Sequence, residues 1–69
     1  MEFDIELTRE PDGGYVVSVP SLPGCHTQGD SREDAIANAR EAIASHLEAL
    51  RALGEPLPAV ELERVAIEV

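Results

Sequence analysis

A chain of 69 residues has room for one domain, and 14 Asp and Glu residues against 5 Lys and Arg give it a formal net charge of −9. Nucleic-acid binding needs a basic stripe, so this composition argues against DNA or RNA as a direct ligand. With no Trp, one Phe and one Tyr, the core must be aliphatic. A second copy or a partner would help to stabilise so small a domain, and we expect a homo-oligomer, a dimer or higher.

The cysteine content and the N-terminal residues indicate the compartment. Cys25 is the only cysteine, so no intrachain disulfide exists, which is typical of a reducing cytoplasm. The stretch MEFDIELTRE is acidic and alternating, unlike a signal peptide, and no apolar run has the length of a membrane span. We therefore expect a cytoplasmic protein without membrane contact, and we predict no cofactor.

The first 19 residues predict a β-hairpin. Apolar and polar side chains alternate in residues 2–8, which indicates a half-buried strand. Residues 11–14, PDGG, supply turn chemistry, so residues 15–19 should return as a second, antiparallel strand. The side chains that share the inner faces are Phe3, Ile5, Leu7, Tyr15, Val17 and Val19.

A third strand and a helix follow. Pro23 and Gly24 turn the chain again, and residues 25–28 are long enough for a short strand. Ser31 is the predicted N-cap of a helix that runs to Leu53. The predicted apolar face of this helix consists of Ile36, Ala39, Ile43, Leu47 and Leu50.

The C-terminal residues predict a fourth strand. Gly54, Pro56 and Pro58 end the helix, and Val65, Ile67 and Val69 then alternate with other residues. The order βββαβ predicts an α+β fold in which one helix packs on one face of a small, mainly antiparallel sheet. The uncovered face is the first candidate for an interface, and it would display Glu2, Asp4, Glu6, Thr8, Val16, Ser18, Ala66 and Glu68.

Several short motifs in this order resemble the HicB antitoxin family. They are the Asp-Gly-Gly-Tyr turn at 12–15, Pro20, the Leu-Pro-Gly-Cys turn at 22–25, Gly29 and the helix start at 31–35. The resemblance implies a partial RNase H-like fold, βββαβ, and a domain that binds and silences HicA, a small basic toxin that cleaves mRNA. Many HicB proteins continue into a DNA-binding segment; this chain ends at Val69, so we expect a single domain over 1–69 without operator binding.

The residues of these motifs are interpreted as architectural, because turn Gly and Pro more often shape the backbone than touch a ligand. Cys25 is interpreted as a buried structural thiol, since His26 should point to the opposite face of its strand. His46 is interpreted as a packing residue. The set assigned to the structural motif is Asp12, Gly13, Gly14, Tyr15, Pro20, Pro23, Gly24, Cys25, Gly29 and Ser31.

A metal-dependent nuclease is the enzymatic alternative, because RNase H-like folds can hold two metal ions between carboxylates from different strands. Glu2, Asp4 and Glu6 share one strand face, but only one of them can reach a given metal centre. Even with Glu68 added, no catalytic set assembles, so we predict neither a metal site nor an enzyme.

The favoured hypothesis is a HicB-like module that neutralises a basic HicA-like toxin by protein–protein contact. An acidic inhibitor should present carboxylates where the toxin would otherwise bind phosphates. The predicted partner-binding residues are Asp4 and Glu6 on the open sheet face and Asp30 and Glu33 at the helix start. The alternative is an orphan module without a toxin, either a self-associating structural protein or a binder of a small ligand.

Overall fold

The computed structural model describes residues 1–68 and contains three strands and one helix. The elements are β1 (Glu6–Arg9), β2 (Tyr15–Ser18), β3 (His26–Gly29) and α1 (Arg32–Ala52). The sheet is antiparallel with strand order β1-β2-β3. The predicted α+β architecture, a three-stranded meander followed by one helix on one face, is therefore confirmed.

Tight turns set the register of the first hairpin. The Gly13 N–H donates to the Glu10 carbonyl (2.9 Å), and the Glu10 N–H donates to the Gly14 carbonyl (2.7 Å). The Asp12 carboxylate accepts a hydrogen bond from the Gly14 N–H at 3.0 Å. The turn thereby places Arg9 opposite Tyr15.

Two consecutive turns fold residues 19–25 into a closed loop. The Leu22 N–H donates to the Val19 carbonyl (3.0 Å), and the Cys25 N–H donates to the Leu22 carbonyl (2.9 Å). Gly24 has a φ of +85°, the value that the third position of a type II turn requires and that side-chain-bearing residues rarely adopt. The Val19 N–H closes the loop by donating to the Cys25 carbonyl (3.1 Å).

This loop also explains why β1 is shorter than predicted. We expected a strand over residues 2–8, but pairing starts at Glu6, opposite Ser18. The next residue of β2 would be Val19, whose N–H is engaged inside the loop, and Pro20 has no N–H to offer. Residues 2–5 consequently pair with no strand within residues 1–68.

Both ends of α1 are capped as the sequence predicts. The Ser31 Oγ accepts a hydrogen bond from the Asp34 N–H at 3.1 Å. At the other end Leu53 is the C-cap, and Gly54 follows with a φ of +71°. The Gly54 N–H donates to the Arg51 carbonyl (3.1 Å) and the Glu55 N–H to the Leu50 carbonyl (2.9 Å), which is a Schellman motif.

The helix meets the sheet through small residues. Ala35 and Ala39 are buried against Val17, although Ala35 is absent from the predicted apolar face. The second cluster contains Val19, Leu22 and Cys25, with Ala42, Ile43 and Leu47 packed at its margin. The larger aliphatic side chains of the predicted helix face, Ile36, Ile43, Leu47 and Leu50, are only half-buried.

The predicted fourth strand is not formed in residues 65–68, and Val69 lies outside the described residues. Val65 is 72% exposed and Ile67 is 78% exposed. Alternation of apolar residues indicates that a segment can be a strand, but a strand needs a partner whose N–H and C=O groups it can pair with. Residues 65–68 pair with none of the three strands.

Candidate functional site

The sheet has one open face, which the helix leaves uncovered. On this face the register aligns Glu6, Ser18 and His26 in one row across the three strands. Two residues further along, it aligns Thr8, Val16 and Gln28 in a second row. The intervening row, Leu7, Val17 and Thr27, faces the helix. The open face therefore combines one carboxylate with hydroxyl, amide and imidazole groups around Val16.

The four predicted partner-binding residues are all exposed, but the structure does not bring them into one cluster. Glu6 lies in the row at one end of the sheet, two residues after Asp4 in sequence. Asp30 and Glu33 follow Gly29, which belongs to the row of Arg9 and Tyr15 at the opposite end. Three residues of strand separate these rows, about 10 Å, so two separate acidic surfaces result.

The second surface contains acidic residues that the sequence reasoning missed. Glu10, Asp12 and Asp34 line one open hollow of about 760 Å³ together with the predicted Asp30, whereas the predicted Glu33 is not among its lining residues. The antiparallel register explains this, because the first turn and the β3–α1 junction lie at the same end of the sheet. Counting the register outward from the PDGG turn would have found it.

The geometry does not assemble the carboxylates of the nuclease hypothesis. Glu6 is the one member of its set within a strand, and its neighbours across the sheet are Ser18 and His26. Glu68 lies in the exposed C-terminal residues. Over residues 1–68, no group of three His, Cys, Asp or Glu side chains is close enough to hold a metal ion.

The cysteine and the two histidines lie in different environments. Cys25 is buried, and this burial raises the pKa of its thiol above the usual range. His26 is exposed on the open face, and His46 is half-buried on α1. Since Cys25 and His26 face opposite ways, they do not form a thiolate–imidazolium pair.

The remaining motif residues surround the turns and the sheet–helix contact. Tyr15 packs against the cluster around Val17. Gly29 lies directly under the first turn of α1, where a Cβ atom would approach the Ala35 Cα to 2.7 Å. The adjacent Gln28 carbonyl accepts a hydrogen bond from the Asn38 side-chain amide at 2.8 Å. These contacts fix where the helix begins relative to the sheet.

Within residues 1–68, α1 does not combine the length and the apolar character that a helix needs to cross a membrane.

A protein-family model described as a HicB-like antitoxin of bacterial toxin–antitoxin systems matches residues 3–68. A UPF0150 protein of Thermoplasma acidophilum is 39% identical over 67 residues, which cover 97% of both chains. The antitoxin HicB 1 of Photorhabdus laumondii is 40% identical over 48 residues, which cover 70% of this chain and 31% of that protein. The matched region is thus about a third of the named antitoxin.

Among solved structures, the chain is similar to the N-terminal domain of the Burkholderia pseudomallei antitoxin HicB. The TM-score is 0.75 with 42% sequence identity, and the match covers 96% of this chain and 74% of that one. The likeness therefore extends over nearly all of this chain, in sequence as well as in fold.

Proposed function

Because this chain belongs to the HicB-like antitoxin family, we propose that it is a non-catalytic module that neutralises a small, basic, mRNA-cleaving toxin of the HicA type by protein–protein contact. The family match over residues 3–68 carries the proposal. Both partners would act in the cytoplasm. The motifs at the hairpin turn, the 19–25 loop and the helix start serve this role indirectly, because they hold the acidic surfaces in place.

The charge of the chain supports this kind of partner. An enzyme that grips RNA carries a basic surface, and an inhibitor covers it best by presenting carboxylates in place of phosphates. The net charge of −9 would accelerate association with such a surface at low ionic strength. Solubility is the competing explanation for the charge, and only a site-specific test separates the two.

We place the toxin contact on the open sheet face, with Asp4 and Glu6 as its acidic residues. A flat sheet with small neighbours such as Ser18 allows a partner to dock closely. Asp30 and Glu33 form the second candidate surface, where the positive end of the α1 dipole already interacts with acidic groups of its own chain. Carboxylates that already interact with the helix dipole gain less free energy from binding a partner.

The two surfaces permit a matched test against a small basic protein of the HicA type, to be sought in the reading frame next to that of this chain. Asp4→Lys with Glu6→Lys and Asp30→Lys with Glu33→Lys change the net charge equally. The first pair should slow association about tenfold or more at low salt and lose this effect at high salt, as expected of charge steering. The second pair should slow it much less.

Association rates measured over a range of ionic strengths, with thermal melting to verify folding, give the outcome. Equal slowing by both pairs would mean that only the net charge matters. Slowing by the Asp30 and Glu33 pair alone would move the contact to the helix start. A chain that binds no such protein, and does not relieve the growth arrest that the protein causes, is not an antitoxin of this type.

The second candidate function is an orphan, self-associating module. One observation favours it: the UPF0150 protein of Thermoplasma acidophilum matches this chain over 97% of both lengths, and its name specifies no toxin. The orphan function predicts that no basic protein is encoded next to this chain. A pull-down from the cells that produce it, returning this chain alone, would support that function.

A further inference from the structure

We propose that residues 61–68, the C-terminal arm, add a strand to the sheet edge of a second copy of this chain, in a reciprocal exchange that forms a dimer. The inference concerns self-association and is independent of toxin binding. It rests on an apolar segment and an apolar groove that the described chain leaves unmatched.

The arm has strand-like alternation without strand partners. Leu62, Val65 and Ile67 are 61%, 72% and 78% exposed. In an extended arm Val65 and Ile67 share one side, which is apolar, while Leu62 is in the opposite phase and lies on the side of Ala66 and Glu68. Three large aliphatic side chains in so short a segment would gain considerable free energy if they were buried away from water.

The complementary groove lies beside β1. It has a volume of about 630 Å³, and its apolar lining includes Phe3, Ile5, Ile36, Ile43 and Leu47. On the helix, Ala35 is buried against the sheet, while Ile36, Ile43 and Leu47 line the groove and stay half-buried, although Ile43 and Leu47 also contact the cluster around Leu22. The groove thus has a mainly apolar floor without a covering layer, and Glu2 and Arg40 also line it.

The edge of the sheet at this groove is also free to pair. β1 is an edge strand, and residues 2–5 have no partner in the sheet. An edge with unpaired N–H and C=O groups is a template for an added strand. A strand laid here would place Val65 and Ile67 over the groove while Ala66 points to the opposite side.

The shape of the chain favours a second copy over the chain's own groove. The radius of gyration is 13.8 Å, whereas a compact domain of this length has about 11 Å, so the arm extends away from the body. Pro56 and Pro58 hold the segment before it in an extended conformation, which opposes a reversal onto the same molecule. When two copies exchange their arms, each arm pairs with the sheet edge of the other copy, and the result is one closed, two-fold symmetric dimer.

A matched pair of single substitutions tests the arm. Ile67→Lys and Ala66→Lys each add one positive charge at neighbouring positions, but only Ile67 would enter the groove. Sedimentation of the wild type at tens of micromolar should give twice the 7.4 kDa chain mass. We expect Ile67→Lys to raise the dissociation constant at least tenfold and Ala66→Lys to leave it near the wild-type value.

Hydrogen exchange of the wild type gives a second measurement that needs no variant. Amide exchange in residues 64–68 should be slow in the dimer and become fast on dilution. A monomeric wild type overturns the inference, as does a dimer that Ile67→Lys leaves intact. Slow exchange of these amides at dilutions where sedimentation shows the monomer also overturns it, because the arm would then lie on its own groove.

Discussion

Gly29 shows how much a single missing side chain determines in this protein. Its φ is not positive, so backbone conformation does not require glycine there. The requirement comes from α1, since a Cβ would lie 2.7 Å from the Ala35 Cα and 2.8 Å from the Asp34 carbonyl carbon. These are backbone atoms, which cannot rotate away as the end of a side chain can.

Gly29→Ala should therefore lower the free energy of unfolding by about 1–3 kcal/mol, the usual cost of overpacking. Gln28→Ala is the matched control, because the Gln28 side chain is exposed and surface changes usually stay within about 0.5 kcal/mol. Urea denaturation measures both. Equal stability of the two variants would show that α1 does not rest on β3 at this point.

Cys25 gives a prediction about pH, with a sign that follows from burial. The folded state holds the thiol in its neutral form, which raises its pKa, while the unfolded chain releases the proton at about pH 8.5. Between these two values the folded state binds more protons, so stability falls as the pH rises. Below the unfolded pKa the thiol contributes no pH dependence.

The comparison is between the wild type and Cys25→Ala, which lacks the ionisable group. Denaturation at pH 7.5, 8.5 and 9.5 should show the stability advantage of the wild type shrinking above about pH 8.5, by at most about 1.4 kcal/mol per pH unit. An advantage that stays constant over this range would contradict the buried position of the thiol.

At the scale of the helix, the N-cap of α1 can be tested by comparing the same substitution, serine to alanine, at two positions. Ser31→Ala removes the acceptor of the Asp34 N–H and should cost about 0.5–2 kcal/mol. Ser45 is exposed in the middle of the same helix, so Ser45→Ala should be neutral or slightly stabilising, because Ala has the higher helix propensity. Thermal melting measures the stability of both variants. A Ser31→Ala variant as stable as Ser45→Ala would show that the Ser31 cap does not stabilise the helix.

The elements differ in how far the sequence determines them. Ser31 and Gly54 mark the helix ends through local chemistry, so both ends could be predicted closely. Val65 and Ile67 carry strand alternation, but alternation does not specify a hydrogen-bonding partner, and the fourth strand was wrong for residues 65–68. Ala35 is fully buried because of where α1 crosses the sheet, which no local pattern encodes.

The candidate site was predictable in its residue types and less so in its layout. Asp4, Glu6, Asp30 and Glu33 are exposed as expected, yet they lie at opposite ends of the sheet. That separation depends on the register, which the turn at residues 11–14 and the loop at 19–25 set together. Whether either surface binds a partner stays a prediction.

At the scale of the whole molecule, the net charge of −9 should make stability depend on salt. At 0.01 M salt the Debye length is about 30 Å, comparable to the molecular dimensions of 41 × 32 × 18 Å, so the carboxylates repel one another across the entire fold. At 0.15 M it falls to about 8 Å. The melting temperature should rise by several degrees, since about 1 kcal/mol corresponds to about 4–8 °C in a domain of this size.

The control is a variant with less charge and the same fold, Glu41→Gln with Glu48→Gln, both exposed on α1. Its melting temperature should rise less over the same salt range. A salt response identical to that of the wild type would assign the effect to ion binding or to hydrophobic contacts in place of charge repulsion.

The strand order, which follows the order along the chain, also has a kinetic consequence. Each strand pairs with the next one along the chain, β1 with β2 through the turn at residues 10–14 and β2 with β3 through the closed loop at 19–25, and β3 passes into α1 through two residues. Contacts between residues close in sequence need little loop-closure entropy before they form, so such a chain should fold within milliseconds or faster. The meander and helix would form before two molecules meet, because that encounter is slower and depends on concentration. Each newly made copy would therefore be a folded monomer before it associates.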